Sequence, residues 1–393
     1  MVSRSLIEKA VREVIDEVIE VRRTLHRYPE LAHTEVRTTA LLTEALAAHG
    51  ISARVRSPSR TGLVAEVGDS GPLVAWRADL DALPIQEPPA KAYASENPGV
   101  MHACGHDAHA AIGLGVAAVL TKLGPLPGRV RLIFQHSEEA LPSGAAEMLE
   151  EGVLDGVQGI AALHVDATLE SGRVGVKAGA ITSSTDRVRI VLQGPGGHTA
   201  RPHLTADLLF AAGKVLAELP ALLSRKVDPR LPFSLTFGTI RGGKAENVIP
   251  TEVVMAGTCR TPDPGAREIL PDLVRSLTEQ IVAPLGAVAQ TIWQPVLPPV
   301  YNDPATVDNI RGYLAHLLGA EAVVGTFTSL GAEDFSYYLN RVPGLMMRLG
   351  TMTEDDRRDL HSAWFQIDED CLEVGVKVGV ASLLGLLSEP IVD

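Results

Sequence analysis

From Leu63 to Leu163 the chain alternates short apolar runs with stretches of helical spacing, and this alternation constrains the fold most. Leu63 to Val67, Leu73 to Trp76, Val130 to Phe134 and Ile160 to Leu163 have the composition of strands. Between the second and third, Asp107 to Leu123 has helical length and stops at Gly124-Pro125. Gly113 and Gly115 allow that helix to pack closely on a sheet. Strands alternating with helices imply a mostly parallel sheet covered on both faces. A further helix opens the chain, with apolar positions Leu6, Ala10, Val14, Val18 and Val21 and Ser3 or Ser5 as its cap.

Around Ile181 the pattern changes. Arg187 to Leu192 alternates as a strand, followed by a helix from about Thr205 to Leu219. The strands Phe233 to Ile240 and Glu252 to Thr258 come next, then a helix from about Ala266 to Val282 and a strand near Val288 to Trp293. This β-α-β-β-α-β order is the ferredoxin-like arrangement. The Pro-rich run Gln294 to Val300 reads as a return linker. The expected architecture is an α/β domain with a mostly parallel sheet over residues 1–180 and 296–393. It is interrupted by a smaller ferredoxin-like α+β domain over residues 181–295. A chain of 393 residues is long enough for two cores.

Charge narrows the function classes. The chain has 48 acidic and 35 basic residues and no strongly basic run, which argues against a nucleic-acid partner. No apolar stretch of about 18 or more residues lacks charge, so no membrane span is expected. The amino-terminal segment has charges every few residues, unlike a signal peptide. The three cysteines Cys104, Cys259 and Cys371 do not suggest a disulfide framework, and the expected location is cytoplasmic. Cys259 and Cys371 are expected as buried apolar fillers.

Polar residues gather in five places: Trp76 to Asp81, Met101 to His109 (MHACGHDAH), Gln135 to Glu139 (QHSEE), His164, and Arg358 to Ser362. Three of these follow predicted strands, where open α/β sheets bind ligands. Each alone has a plainer reading. Asp79 and Asp81 suit a turn or a cap, Glu138 and Glu139 an exposed helix start, and His164 a core histidine. MHACGHDAH is compatible with a metal cradle, a nucleophilic cysteine beside its base, or a polar loop. In an extended segment Cys104 and His106 would project from one face. A thiolate, imidazoles and carboxylates together suit Zn, Mn, Co or Ni rather than Mg or Ca. Adjacent Glu138 and Glu139 allow one to bind a metal while the other handles protons.

The ordered series WRADLDALP, MHACGHDAH, FQHSEE, ALHV, GGHTARPH, ENVIP, GAEDFSYYL and DLHSAWF resembles the zinc-peptidase-related amidohydrolases. These are the aminoacylase, hippurate hydrolase and indole-acetyl-amino-acid hydrolase group. The resemblance runs from about His26 to the end of the chain. It implies two divalent metal ions, with Cys104, His106, Glu139, His164 and His361 on the ligand positions. Glu138 falls on the general base that activates the bridging water, and Asp81 on the residue supporting the metals from behind. The inserted domain falls on the family's lid and dimerisation domain. His198 falls on a histidine that steadies the oxyanion, often across a homodimer. Asn247 falls where the family contacts the substrate carboxylate, and Arg260 is a second candidate for that role.

Three departures stand out. His136-Ser137 replace the usual Pro-Ala before the paired glutamates, Ala140 to Ser143 replace a Gly-rich run, and Asp166-Ala167 follow His164 where an aromatic and a proline are common. They bear on the substrate pocket, and His136 becomes a candidate outer-shell partner. The expected function is metal-dependent hydrolysis of N-acyl amino acids or similar small-molecule amides. The rivals are a dipeptidase or carboxypeptidase with the same site, a cysteine hydrolase built on Cys104 and His106, and a non-catalytic binding relative.

Overall fold

The computed structural model of the chain describes residues 1–55, 60–352 and 358–393. Two compact units emerge. The first comprises Met1–Gly179, Tyr301–Phe327 and Asp334–Asp393, and the second Ala180–Val300 with Thr328–Glu333.

An eight-stranded sheet organises the first unit. At its centre four parallel strands lie in the order Gly344–Met352, Val157–Glu170, Leu73–Asp79 and Arg129–Gln135. Every residue of Leu73–Asp79 is buried, as a strand covered on both faces requires. The flanking strands Leu63–Val67 and Ala53–Val55 run antiparallel to their neighbours, and at the other edge the parallel pair Val323–Val324 and Val174–Gly175 joins Gly344–Met352 antiparallel, so the sheet is mostly but not wholly parallel. From Leu73–Asp79 the chain crosses through the helix His106–Lys122 to Arg129–Gln135 on one side. It then returns through the short helix Gly144–Glu150 to Val157–Glu170 on the other. That reversal opens a crevice at the carboxyl ends of the strands, and the polar clusters lie there.

Helices Arg4–Arg27, His106–Lys122 and Cys371–Leu386 pack against one another and complete the core. Ser3 caps the first by accepting a hydrogen bond from the Leu6 amide at 3.1 Å. Its buried stripe is Ile7, Ala10, Val11, Val14, Val18 and Leu25, rotated slightly from the expected one, with Leu6 left exposed. The helix His106–Lys122 is buried on all sides from His106 to Leu120. Gly113 meets the sheet at Phe134, whereas Gly115 packs on Val18 and Val376 of the neighbouring helices, not on the sheet.

The second unit is a four-stranded antiparallel sheet in the order Ser234–Gly242, Glu252–Arg260, Thr185–Gln193, Val288–Leu297. Helices Leu208–Leu223 and Pro264–Val282 bury its apolar side through Val188, Ile190, Leu192, Val253 and Met255. The order of elements is β-α-β-β-α-β. Asp207 caps the first of these helices at Phe210, three residues later than the expected start, because Pro202–Leu204 form a separate 3-10 turn. The last strand continues through Gln294 to Leu297, so most of the expected linker is sheet. Cys259 and Cys371 are buried free thiols. Among the described residues no helix is long and apolar enough to cross a membrane.

Candidate metal centre

Cys104 and His106 do meet, although not by strand alternation. The segment is a tight turn into the helix His106–Lys122, with Gly105 in the left-handed region at φ +79°. A Cβ at Gly105 would stand 2.5 Å from Val165 Cγ2, so glycine is required both for the conformation and for the space. Cys104, His106 and His164 present ligand atoms within 4.8 Å of one another, and all three are buried. Cys104 with Glu139 and His361, and His106 with Glu138 and Glu139, form overlapping sets of the same kind. All five sequence-predicted ligands and Glu138 are thus brought together.

The donor atoms suit a cation. His164 lies within the long strand Val157–Glu170, and its Nδ1–H donates to the Val165 carbonyl at 2.8 Å. This leaves Nε2 bare, 3.5 Å from Cys104 Sγ. Sulfur and nitrogen ligands at zinc bond lengths stand about 3.6 Å apart in a tetrahedral site. His106 approaches Asp81 at 3.4 Å and Asp79 at 3.6 Å, yet neither of its buried ring nitrogens makes a hydrogen bond. Burial pushes the Cys104 thiol up to about 12, so a cation is needed to hold it as thiolate. The same shift opposes the cysteine-hydrolase reading, because an activated nucleophilic cysteine has its pKa lowered. Burial holds His164 well below the usual imidazole range, in the neutral form that binds metals. The hydrogen bond to Glu139 raises His361, and their closest approach is 3.2 Å.

Asp81 lies behind this cluster. Its two carboxylate oxygens accept the Glu138 and Glu139 amides, each at 2.9 Å, which fixes the loop carrying both glutamates. Burial works against its charge, but the adjacent His106 imidazole and the hydrogen bonds from those two amides keep its pKa lowered.

A second layer was not legible in the sequence. Asp79 accepts from His109 Nδ1 at 2.6 Å and from Arg77 at 2.6 Å, and His109 Nε2 in turn accepts the Val165 amide at 2.9 Å. Arg77 also donates to Gln135 Oε1 at 2.9 Å and to Asp334 at 2.8 Å, and Asp334 accepts from Gln135 Nε2 and Ser143 Oγ. Burial opposes the charge of Asp79, but His106, Arg77 and His109 hold it well below the carboxylate range. The GAEDF motif was the available signal for Asp334, yet its partner lies 257 residues earlier in the chain.

The remaining candidates lie in the second unit. His198 is exposed on the short strand Gly197–His198, which pairs with Val248–Ile249. The Thr199 amide donates to the Asn247 carbonyl at 3.2 Å, so His198 and Asn247 share one ribbon. His198 Nδ1 accepts from the Ala200 amide at 3.0 Å, which puts the ring proton on Nε2. Arg260 ends the strand Glu252–Arg260 and donates to the Leu330 carbonyl at 2.8 Å. Eight residues of extended chain, about 26 Å, separate Arg260 from Glu252, at the end of the strand nearer the His198 ribbon. His136 does not join the Cys104 cluster. It is buried against His33, with ring centroids 5.8 Å apart.

Residues 75–384 match the profile of Peptidase family M20/M25/M40. A Rhodococcus jostii (strain RHA1) protein named "Putative glutamate--cysteine ligase 2-3" is 40% identical over 366 residues, 93% of this chain. The chain spans only 46% of that relative. A Bacillus subtilis (strain 168) protein named N-acetyl-L-cysteine deacetylase is 39% identical over 359 residues, 91% of this chain and 85% of the relative. The solved structure of Bacillus subtilis YXEP protein, described as a dinuclear metal binding peptidase from M20 family, superposes with a TM-score of 0.84. It is 34% identical, and the match covers 95% of this chain and 99% of that one. With a buried thiol, imidazoles and paired carboxylates at the switch point of its sheet, the chain belongs to peptidase family M20/M25/M40 and is a metal-dependent hydrolase of amide bonds.

Proposed function

We propose that the protein hydrolyses the amide bond of N-acyl amino acids or closely similar conjugates, with Glu138 as the general base. The observation that carries this reading is the pair of amides fixed by Asp81. It orients two adjacent carboxylates differently, leaving Glu139 beside His361 and Cys104 and Glu138 beside His106. Cys104, His106, Glu139, His164 and His361 are the side chains that would hold two divalent ions of the Zn, Mn, Co or Ni class. Bound there, such ions supply Lewis acidity toward a carbonyl oxygen and toward water.

Glu138 accepts the proton of the attacking water and delivers it to the departing nitrogen. His198 donates from Nε2 to the oxyanion, in the tautomer favoured by its Ala200 contact. Asn247 and Arg260 take the carboxylate of the amino-acid half. Arg260 and the His198 ribbon lie far apart along the second unit, so two copies of the chain, as a homodimer, are the natural way to use both. The second unit then serves as lid and dimerisation domain. An N-acyl amino acid fits this set because it pairs one neutral amide with one carboxylate, and the relative named N-acetyl-L-cysteine deacetylase is consistent with such a substrate.

The test is Glu138→Gln assayed on N-acyl amino acids and dipeptides after reconstitution with each metal. The expected outcome is a loss of about 10²–10⁴ in kcat with metal content unchanged. Retained activity would remove Glu138 from the base role. Preference for dipeptides would favour the peptidase rival.

A further inference from the structure

A second cluster of metal-binding groups lies apart from the Cys104 site. His33, His136 and Glu147 present ligand atoms within 4.8 Å of one another. They come from the segment before the helix Val36–Ala48, the end of the strand Arg129–Gln135 and the helix Gly144–Glu150. His136 is fully buried, and its Nε2 makes no hydrogen bond. The Nε2 of His33 is likewise buried without a hydrogen-bond partner. Glu147 Oε2 stands 3.5 Å from His136 Nε2, close to the separation of about 3.3 Å between nitrogen and oxygen ligands in a tetrahedral zinc site.

The surroundings prepare His136 for this role. Ser137 Oγ accepts the His33 amide at 2.7 Å and donates to Glu35 Oε1 at 3.3 Å. With that proton directed at Glu35, His136 Nδ1, 2.9 Å away, is the donor to the same oxygen. The proton on Nδ1 leaves Nε2 as a bare lone pair aimed at Glu147. A Cβ at Gly144 would overlap the His136 carbonyl, and one at Gly62 would stand 3.0 Å from His136 Cδ2, so the ring is closely held. Burial and the neighbouring His33 lower the His136 pKa to about 4, in keeping with a neutral imidazole.

We infer that His33, His136 and Glu147 form a separate divalent-metal site of the zinc class, additional to the ions of the Cys104 cluster. Two imidazoles and one carboxylate are a common zinc-binding set, with a fourth position left for water. The site would tie His33 and the helix Gly144–Glu150 to the residue two places before Glu138, and so brace the loop of paired glutamates.

The experiment compares wild type with Glu147→Gln and His33→Asn after stripping and equilibration with zinc. Asparagine is chosen at residue 33 because φ there is +64°, a conformation it tolerates well. Elemental analysis of each folded protein, matched by circular dichroism, should show both variants binding about one zinc fewer than wild type. Anomalous diffraction from zinc-equilibrated wild-type crystals should give a peak between the three side chains, a readout that does not depend on the variants folding. Equal zinc content in all three proteins, or no anomalous peak there while the Cys104 cluster is loaded, would overturn the inference and leave a plain imidazole–carboxylate contact. Neither result depends on the substrate or on Glu138, so failure here is distinguishable from failure of the functional reading.

Discussion

Asp81→Asn is the substitution that most directly probes how the catalytic loop is held. Asp81 Oδ1 accepts the Glu138 amide at 2.9 Å and lies 3.4 Å from His106 Nδ1, while Oδ2 accepts the Glu139 amide at 2.9 Å. Asparagine keeps the shape but offers one oxygen. The better flip points that oxygen at Glu138 and His106, which turns the NH₂ group against the Glu139 N–H and leaves a donor facing a donor. A hydrogen bond to a charged group contributes about 1.5–3 kcal/mol, so the folded state should lose on the order of 2 kcal/mol. The larger effect is on the metals. Glu139 is no longer held at its amide, and the imidazole of His106 loses one of its two anionic neighbours, Asp79 remaining. Changes in groups that orient metal ligands cost about 10–100-fold in metal affinity. Thermal unfolding of the stripped protein measures the first effect, and competition against a zinc chelator measures the second. Zinc affinity within about twofold of wild type would refute the argument that Asp81 positions Glu139 and His106.

Two other perturbations have signs fixed by the structure. Asp334→Ala leaves the Arg77 guanidinium buried without one of its two carboxylates, and should destabilise the protein by about 3–5 kcal/mol in denaturant titration. Glu35 is buried, and its carboxyl is raised to about 7 by burial, opposed by hydrogen bonds and aided by the charge of Asp81. A folded pKa above the unfolded value of 4.5 means that this contribution is fully present below pH 4.5 and is lost as pH rises through 7. Glu35→Gln lacks that dependence, so its stability relative to wild type should improve by on the order of 3 kcal/mol between about pH 4.5 and pH 7. A parallel pH profile for the two proteins would show that Glu35 ionises normally.

What was readable in the sequence follows from the range of the interactions involved. Strands whose apolar runs are continuous were legible, and so were the polar groups immediately after them, such as Asp81 and Glu138. The ferredoxin-like order was legible because each of its elements has its own periodicity. The junction at Gln294 was not, since Pro295 sits at a register shift on an edge strand, where a missing N–H is tolerated. Cys104 and His106 were paired by their spacing, but the mechanism is the left-handed turn at Gly105, which a period-two argument cannot supply. Arg77 with Asp334, and His33 with His136, escaped notice because partners so distant in the chain meet only through the sheet and its crossovers. The resemblance identified the residue types of the site. The hydrogen bonds that assign protons to His164, His198 and His136 needed coordinates.

Amide hydrolysis by this protein depends, on the proposed reading, on metals held by the Cys104 cluster. The most direct test of that dependence is the release of free amino acid from a set of N-acyl amino acids by the full chain, first stripped of metal and then supplied with Zn, Mn, Co or Ni. The expected result is no turnover in the stripped protein and recovery with at least one of these ions. Undiminished turnover in the stripped protein, with metal absence verified by elemental analysis, would contradict it.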